Sequence, residues 1–378
     1  PAPIEGFADA ARTDLWLFPD VSTMKVLPWR PQQGRVIKFL CEIRNYDNTP
    51  FLLDTRELLK KTLESAGAKG ISCKVETESE FYLFKTDENG IPTYETHDNG
   101  GYLDMAPLDK GENIRREICY SLEAMGIKPT SSHHEKGRGQ HELVFEDADA
   151  LKACDNFISF KSVVKAVSIR NGLHASFIPK PFENECGNGM RLKFSLFKNG
   201  ENIFGGNVDS LTLQAKRFIS GVMLHIKEMT AFINSTVNSY ERLGSHEAPE
   251  YISWSKYNEG QLIKVSNAAD GVKIELRSPD SALNPYIAVT LILAAGIDAI
   301  EKESEITEPV VFSDEIKEKL EVLPGSLSEA VKFAEESGFI RNTLPPELLE
   351  GFFRLQKEQE INALKNIGEY NRNLFRTV

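Results

Sequence analysis

Charged side chains alternate with apolar ones in four short segments of this 378-residue chain. The segments are 75–84 (VETESEFYLF), 140–145 (QHELVF), 190–197 (MRLKFSLF) and 272–278 (VKIELRS). Successive residues of a β-strand point to opposite faces, so each segment would present ionisable groups on one face and apolar groups on the other. If the charged faces meet, they line a cleft suited to cations, phosphates and carboxylates.

The glutamates of these segments are candidate metal ligands. Glu78 and Glu80 lie two residues apart on one strand face, roughly 6.5 Å between their Cα atoms. A solvated strand face is the alternative for this pair, although the apolar residues that follow make free exposure less favourable. Glu135 and Glu142 lie in the glycine-containing stretch 132–142 (SHHEKGRGQHE), where they bracket a loop. Oxygen ligands from several strands favour Mg²⁺ or Mn²⁺.

Two histidines and several cations are the other candidates for chemistry. His133 and His134 have no third ligand at the spacing of a metal-binding helix such as HExxH, so structural hydrogen bonding is the favoured role. Arg242, Arg277 and Lys273 are suited to holding carboxylates or phosphates, the arginines through paired hydrogen bonds. Surface ion pairs are the alternative for each of these cations.

Helix and strand patterns place the charged segments in a mixed architecture. Apolar spacing predicts helices over 54–66, 113–125, 147–171, 210–238 and 284–300, with a charged helical region from 309 onward. Residues 1–51 are predicted to form loops and short strands, of which 37–43 is the clearest, and 90–101 a polar loop. Because strands and helices interleave without a regular βαβ rhythm, the predicted fold class is α+β. The turn Gly187-Asn-Gly189 offers backbone N–H groups to an anion, or simply permits a hairpin.

Composition excludes several classes of function. The net charge of −12 argues against nucleic acid or an anionic membrane surface as the main partner, because both repel an acidic protein. Five cysteines without a CxxC pair indicate free thiols in a reducing compartment, so a cytoplasmic location is predicted. The longest apolar stretch, 286–300, contains Asp298 and is too short to span a bilayer.

Several colinear motifs together identify a family. The chain resembles glutamine synthetase of the bacterial and archaeal type I form over almost its whole length. The motifs, in order, are IEGF (4–7), DLWLFPDVST (14–23), ETESEFYLF (76–84), GGYLDMAPLD (100–109), SHHExxxGQHEL (132–143), FIPKP (177–181), GNGM (187–190), NSYERL (238–243), HEAP (246–249) and IELRSPDSALNPY (274–286).

The resemblance implies an architecture. Residues 51–378 would form an α+β catalytic domain in which antiparallel strands make a half-barrel active-site funnel with helices outside. Residues 1–50 would form part of a β-grasp segment whose first half this sequence lacks. The active site would lie between subunits of a homo-oligomeric ring, a hexamer or a dodecamer.

The resemblance also implies an ATP-dependent reaction. A glutamate side-chain carboxylate is phosphorylated to an acyl phosphate, and ammonia or another small amine then displaces the phosphate. The implied cofactors are ATP and Mg²⁺ or Mn²⁺. No nucleic acid or membrane partner is expected.

Site residues carry over position by position from the resemblance. Glu247, Arg277 and Arg242 match catalytic groups, Glu247 as the flap glutamate that takes a proton from the amine. Matches to metal ligands are Glu80, Glu135 and Glu142 at the glutamate end, and Glu78 and Glu275 at the ATP phosphates. Matches to substrate-binding residues are Gly187, Tyr102, Asp14, Arg242 and Arg277. Matches to nucleotide-binding residues are Lys193, Ser195, Lys264 and Lys273.

Several positions depart from the family pattern. Where the family motif GSGMHxHxSL has two histidines, this chain has Arg191 and Lys193. The first histidine is a ligand of the phosphate-bridging metal, so its replacement by a cation disfavours that ion. The family's RNR reads Tyr257-Asn-Glu259, which places an anion near the polyphosphate.

Two hypotheses follow from the departures. In the first, the protein is a working γ-glutamyl ligase in which Arg191 and Lys193 act as fixed cations in place of one metal. In the second, it is a catalytically inactive homologue with a structural or regulatory role, in which these cations neutralise Glu78 and Glu275. The complete glutamate end favours the first hypothesis, and the altered phosphate end favours the second.

Overall fold

The computed structural model describes residues 15–30 and 34–378. Its strands are β1 (Leu15–Val26), β2 (Ile37–Asn45), β3 (Ile71–Thr86), β4 (Pro92–Thr96), β5 (Pro129–His134), β6 (Gln140–Phe145), β7 (Ala148–Asp149), β8 (Leu173–Ser176), β9 (Met190–Lys198), β10 (Glu201–Asn202), β11 (Trp254–Ser255), β12 (Ile263–Ala268) and β13 (Gly271–Leu276). Its α-helices are α1 (Thr55–Ala68), α2 (Glu112–Ala124), α3 (Ala150–Arg170), α4 (Leu213–Ile233), α5 (Ser239–Arg242), α6 (Pro285–Glu301), α7 (Asp314–Lys317), α8 (Leu327–Glu336), α9 (Gly338–Thr343), α10 (Pro346–Lys365) and α11 (Ile367–Thr377).

A large, mainly antiparallel sheet forms the centre of the molecule. Its path runs β11-β12-β13-β9-β3-β6-β5, with β4, β7 and β8 paired to β3 and β10 paired to β9. Among the described strands of this sheet, only β11 and β12 pair in parallel. This arrangement of strands and helices confirms the predicted α+β class.

Strand β9 shows why one face of the sheet is apolar and the other charged. Met190, Leu192 and Phe194 are at most 1% exposed, whereas the alternating Arg191 and Lys193 are partly accessible. The apolar face therefore packs against the core, and the period-2 alternation leaves the charged face lining a cleft. The predicted strand pattern is confirmed here.

Helices α4 and α6 pack closely against each other in the apolar core. A Cβ added at Gly221 would lie 2.4 Å from the Ala295 carbonyl oxygen, and one at Gly296 would lie 2.1 Å from the ring of Phe218. Both glycines are therefore required for close helix contact. Asn284 caps α6 by accepting hydrogen bonds from the N–H groups of the first turn.

Most predicted elements are confirmed, with shifts at their ends. Helix α4 is shorter than the predicted 210–238 because its first turn begins only after Thr212, the N-cap. The loop prediction for 90–101 is wrong in part, since this stretch contains β4, which pairs with β3. Its polar, half-exposed residues gave no alternating pattern that indicated a strand.

Strands β1 and β2 form a separate two-stranded antiparallel sheet. The predicted strand at 37–43 is therefore confirmed, while the division into segments 1–50 and 51–378 stays a prediction. All five cysteines are free thiols. Within the described part of the chain, no helix has both the length and the apolar character needed to cross a membrane.

Candidate active site

Strand register brings the predicted carboxylates and cations together on the charged face of the sheet. The cross-strand partners are Glu78 with Arg191, Glu76 with Lys193, Glu80 with Glu142, and Lys193 with Glu275. Directly opposite side chains on one face lie close enough to interact. The antiparallel pairing alone therefore builds a charged site from β3, β6, β9 and β13.

At one end of the site, acidic groups converge with a histidine. Ligand atoms of His133, Glu135 and Glu142 all lie within 4.8 Å of one another. Glu80, opposite Glu142, accepts a hydrogen bond of 2.7 Å from the backbone N–H of Gly189. The three predicted glutamates of this metal site are thus brought together, and His133 joins them. We call this set the acidic cluster.

The protonation of the acidic cluster reflects burial and mutual repulsion. Burial, reinforced by the neighbouring glutamates, raises the pKa of Glu142 to about 8, although Arg191 opposes the shift. Burial likewise raises the pKa of Glu80. Burial would also raise the pKa of Glu135, but hydrogen bonds from His133 and the Lys136 backbone hold it below its ordinary value. A bound cation would relieve the repulsion, so this donor set fits a divalent ion.

The second predicted metal position is filled by a guanidinium. Arg191 Nη1 lies 2.7 Å from Glu78 Oε2 and 3.2 Å from Glu142 Oε2. Its Nη2 lies 3.7 Å from Glu80, and its Nε lies 4.0 Å from Glu275. Arg191 therefore contacts Glu78 and Glu275, the two carboxylates that the resemblance assigns to the phosphate-bridging metal. These residues do not fit a second ion.

Lys193 is the next cation after Arg191 on the charged face of β9, and Lys273 of β13 lies near it; we call these three residues the cationic row. Its Nζ contacts Glu76 at 2.7 Å and also Glu78. Burial would raise the pKa of Glu78, but Arg191 and Lys193 outweigh it and hold this pKa below its ordinary value. Lys273 pairs with Glu76 at 2.6 Å and with Asp147 at 2.8 Å. Each cation in this row is already neutralised inside the chain.

Arg242 packs against the glycine turn at the other side of the acidic cluster. Its Nη1 donates to the carbonyl oxygen of Ser278 at 2.8 Å. A Cβ at Gly187 would lie 2.9 Å from Arg242 Cγ, and one at Gly189 would lie 2.6 Å from its Nη2. The glycines therefore allow the arginine to approach the turn. The Gly189 N–H of this turn donates to the Glu80 carboxylate, so the anion that the turn holds belongs to the chain itself.

Arg277 faces an anion of its own chain. Its Nη1 lies 3.0 Å from Glu259 Oε2 and also pairs with Glu275. Glu259 is bonded as well to Lys264, and together these cations hold its pKa below its ordinary value against the opposing effect of burial. Arg277 Nε is buried without a hydrogen-bond partner. A carboxylate thus occupies the space beside two cations that suit a phosphoryl group.

Two cavities open onto these groups. The smaller, about 50 Å³, lies beside Glu80, Gly187 and Arg242, and the larger, about 470 Å³, lies beside Glu78, Lys193, Lys264 and Glu275. Residues that border both are Glu135, Lys136, Arg191, Glu247 and Arg277. The cavities are therefore contiguous, and Tyr102 borders the larger one.

Not every predicted site residue reaches the cavities. Ser195 borders neither cavity, because it is 1% exposed and its hydroxyl donates to the Val272 carbonyl oxygen. Lys273 borders neither cavity, because Glu76 and Asp147 hold it. Asp14 lies outside the described residues.

Sequence reasoning missed some partners within the site. Lys136 pairs with Glu247, and both border the two cavities; no sequence spacing indicates this contact between residues 111 positions apart. Glu76 was passed over although it shares the alternating face of Glu78 and Glu80. That period-2 pattern could have found it.

A second histidine group lies behind the acidic cluster. Asp98, His134 and His141 are fully buried and close enough to suggest a metal site. However, Arg115 Nη1 donates to His141 Nδ1 at 2.8 Å, so a guanidinium takes a ligand position of that ring. His134 is hydrogen-bonded to Asp98 and to the Glu135 carbonyl oxygen. Structural hydrogen bonding was predicted for both His133 and His134; His134 makes such bonds, whereas His133 lies in the acidic cluster.

Comparison with known proteins identifies the family of this site. Residues 52–373 match the family model described as glutamine synthetase, catalytic domain. The chain belongs to the glutamine synthetase family. This confirms the resemblance that the motifs indicated and fits ligases of nitrogen metabolism.

Two glutamine synthetases are similar to this chain over at least four fifths of their own length. Glutamine synthetase of Methanosarcina mazei is 40% identical over 375 residues, which are 96% of this chain and 84% of the relative. That of Clostridium saccharobutylicum is 42% identical over 352 residues, 90% of this chain and 80% of the relative.

Solved structures show the same fold. A GmaS–ADP complex superposes with a TM-score of 0.86 at 29% identity and covers 98% of this chain and 89% of its own. Plasmodium falciparum glutamine synthetase superposes with a TM-score of 0.84 at 23% identity, covering 98% and 88%. The half-barrel of antiparallel strands with outer helices is therefore the fold of this chain.

Proposed function

We propose that this protein is an ATP-dependent ligase that joins the γ-carboxyl of glutamate to ammonia or another small amine. The observation that carries the proposal is the convergence of Glu80, Glu135 and Glu142 beside Arg242 and Arg277 around contiguous cavities. A site that had lost its function would not need to keep a complete glutamate end.

The chemistry requires activation of a poor electrophile. The γ-carboxylate of glutamate attacks the terminal phosphorus of ATP, ADP leaves, and the resulting acyl phosphate reacts with the amine. In this proposal Arg277 neutralises charge on the transferred phosphoryl group, and Arg242 orients the substrate carboxylate. Glu247 takes the proton that the amine releases, and phosphate leaves with the electron pair of the broken C–O bond.

The acidic cluster is the proposed site of one divalent ion. His133, Glu135, Glu142 and Glu80 would hold Mg²⁺ or Mn²⁺, whose charge would neutralise the carboxylates and polarise a substrate oxygen. No step is assigned to a second ion, because Arg191 contacts both of its expected ligands. Arg191 and Lys193 together carry the charge of one divalent ion, which supports their role as its fixed replacement.

Nucleotide contacts and assembly complete the proposal. Lys193 and Lys264 border the larger cavity and are the proposed phosphate contacts. Tyr102 and Asp14 are proposed to border the amine site. We also propose a homo-oligomeric ring, hexameric or dodecameric, whose subunits divide at residue 50 into a β-grasp-like segment and a catalytic domain.

A specific observation favours a second candidate, a non-catalytic homologue with a structural or regulatory role. Arg191 is bound by four carboxylates, and Glu259 is bound to Arg277 and Lys264. Nucleotide would have to displace these internal pairs.

Phosphate release from ATP decides between the candidates. The assay contains glutamate and a panel of amines, with Mg²⁺ in one series and Mn²⁺ in another. Amine-dependent release, with the γ-glutamyl product seen by mass spectrometry, supports the ligase. No release with any amine, together with no rise in melting temperature on adding ATP, contradicts it.

A further inference from the structure

A lysine of the chain, Lys136, borders both cavities. Lys136 Nζ is hydrogen-bonded to Glu247 and lies 5.7 Å from the centroid of the Tyr102 ring. Its backbone N–H donates to Glu135 Oε2 at 2.9 Å, which ties the residue to the acidic cluster. An ammonium group is therefore held between a carboxylate and an aromatic side chain.

This arrangement is one that recognises a protonated amine. Carboxylates bind ammonium groups through charge-assisted hydrogen bonds, and aromatic faces attract cations. Under the proposed function, on which this inference depends, Tyr102 and Glu247 border the amine site. The chain's own ammonium thus stands where the ammonium of a substrate would bind.

Charge balance then limits which amine can enter. An ammonium ion or a simple alkylammonium would have to displace Lys136 from Glu247, leaving two cations beside one carboxylate. A zwitterion keeps all charges paired, because its ammonium faces Glu247 while its carboxylate faces Lys136. The Lys136 and Glu247 side chains are 41% and 51% exposed, so both can move to make this exchange.

We propose that Lys136 selects an acceptor amine that also carries a carboxylate, namely a small amino acid, over ammonium or an alkylamine. The acceptor transfers its ammonium proton to Glu247, and its nitrogen attacks the acyl phosphate carbonyl. The C–N bond forms as the C–O bond to phosphate breaks, and inorganic phosphate leaves with the bonding pair.

Acceptor preference tests the proposal. Glycine and methylammonium are compared at equal concentration and ionic strength, with saturating glutamate and ATP, in the unchanged protein and in Lys136→Met. We expect the unchanged protein to prefer glycine at least about tenfold in kcat/KM, equivalent to about 1.4 kcal/mol. Lys136→Met should lose this preference. Arg138→Met, which removes a cation of the same loop that pairs with Glu185 instead, should keep it.

Melting temperatures give a readout independent of turnover. With glutamate present, glycine should stabilise the unchanged protein more than methylammonium does, and Lys136→Met should remove the difference. If glutamate itself stabilises the protein but the two amines act equally, the lysine has no selective role. If glutamate and ATP give no stabilisation, the proposed function fails and this inference with it.

Discussion

Both ends of the site contain buried glutamates, but the partners of these glutamates differ between the two ends. At the glutamate end, Glu135 and Glu142 are gathered with a histidine, and burial raises the pKa of Glu142. At the phosphate end, Glu78 is paired with Arg191 and Lys193, which lower its pKa despite burial. Under the proposed function the first end binds an added cation, whereas the second already contains its cations. One sheet would then hold a metal-dependent half and a metal-independent half.

The largest expected effect comes from removing the guanidinium that joins the two ends. Arg191→Met leaves Glu142 without its guanidinium partner and Glu78 with Lys193 alone, in a mostly buried place. We expect the free energy of unfolding at pH 7 to fall by about 3–5 kcal/mol, measured by urea denaturation. Lys357→Met breaks a surface pair and should cost less than about 1 kcal/mol. A similarly small loss of unfolding free energy in Arg191→Met would show that the stability of the phosphate end does not depend on Arg191.

The acidic cluster should make the free energy of unfolding depend on pH. The folded state holds the Glu142 proton more tightly than the unfolded state, so stability is lost as pH rises from about 4.5 toward about 8. Metal-free Glu142→Gln should therefore gain stability relative to the unchanged protein, on the order of 2 kcal/mol between pH 6 and 8.

Thermal or urea unfolding at several pH values measures this difference. Saturating Mn²⁺ should abolish it, because the ion keeps the carboxylate charged. A difference that does not change with pH would mean that Glu142 is ionised without metal, as at the phosphate end.

Restoring metal ligands at the phosphate end should let that end bind a divalent ion, as we propose for the glutamate end. In the Arg191→His, Lys193→His double variant, neutral imidazoles replace the cations that exclude the second ion. Bound Mn²⁺ should rise from about one to about two per chain, and ligase kcat/KM should rise at least about tenfold. Metal analysis after gel filtration gives the first readout without any assay of turnover. An unchanged metal content, with Arg138→His as control, would contradict the replacement of an ion by Arg191.

The smallest effect concerns the internal anion beside Arg277. Glu259→Gln removes a half-exposed charge that competes with phosphate for Arg277 and Lys264. ATP should bind up to about fivefold more tightly, since an ion pair whose carboxylate is half exposed to water contributes under about 1 kcal/mol. Titration calorimetry measures the affinity. Glu303→Gln, which alters another exposed glutamate–arginine pair, should leave it unchanged.

Much of the fold follows from the local sequence pattern. The alternation in 190–197 determined which side chains of β9 face the core, because a strand has a period of two residues. The helix α6 was recognisable from its Asn-Pro start and apolar run. Strand β4 was not predicted, because pairing with β3 holds it in an extended conformation that its own polar residues do not indicate.

The sequence by itself determined the charged strands, the family and the replacement of two histidines by cations. Only the tertiary structure decided which carboxylates each cation binds, because strand register and loop contacts join residues more than a hundred positions apart. Arg191 reaches Glu78 across 113 positions, and Lys136 reaches Glu247 across 111. Ion pairing depends on distances of a few ångströms, and no sequence spacing specifies those between separate elements.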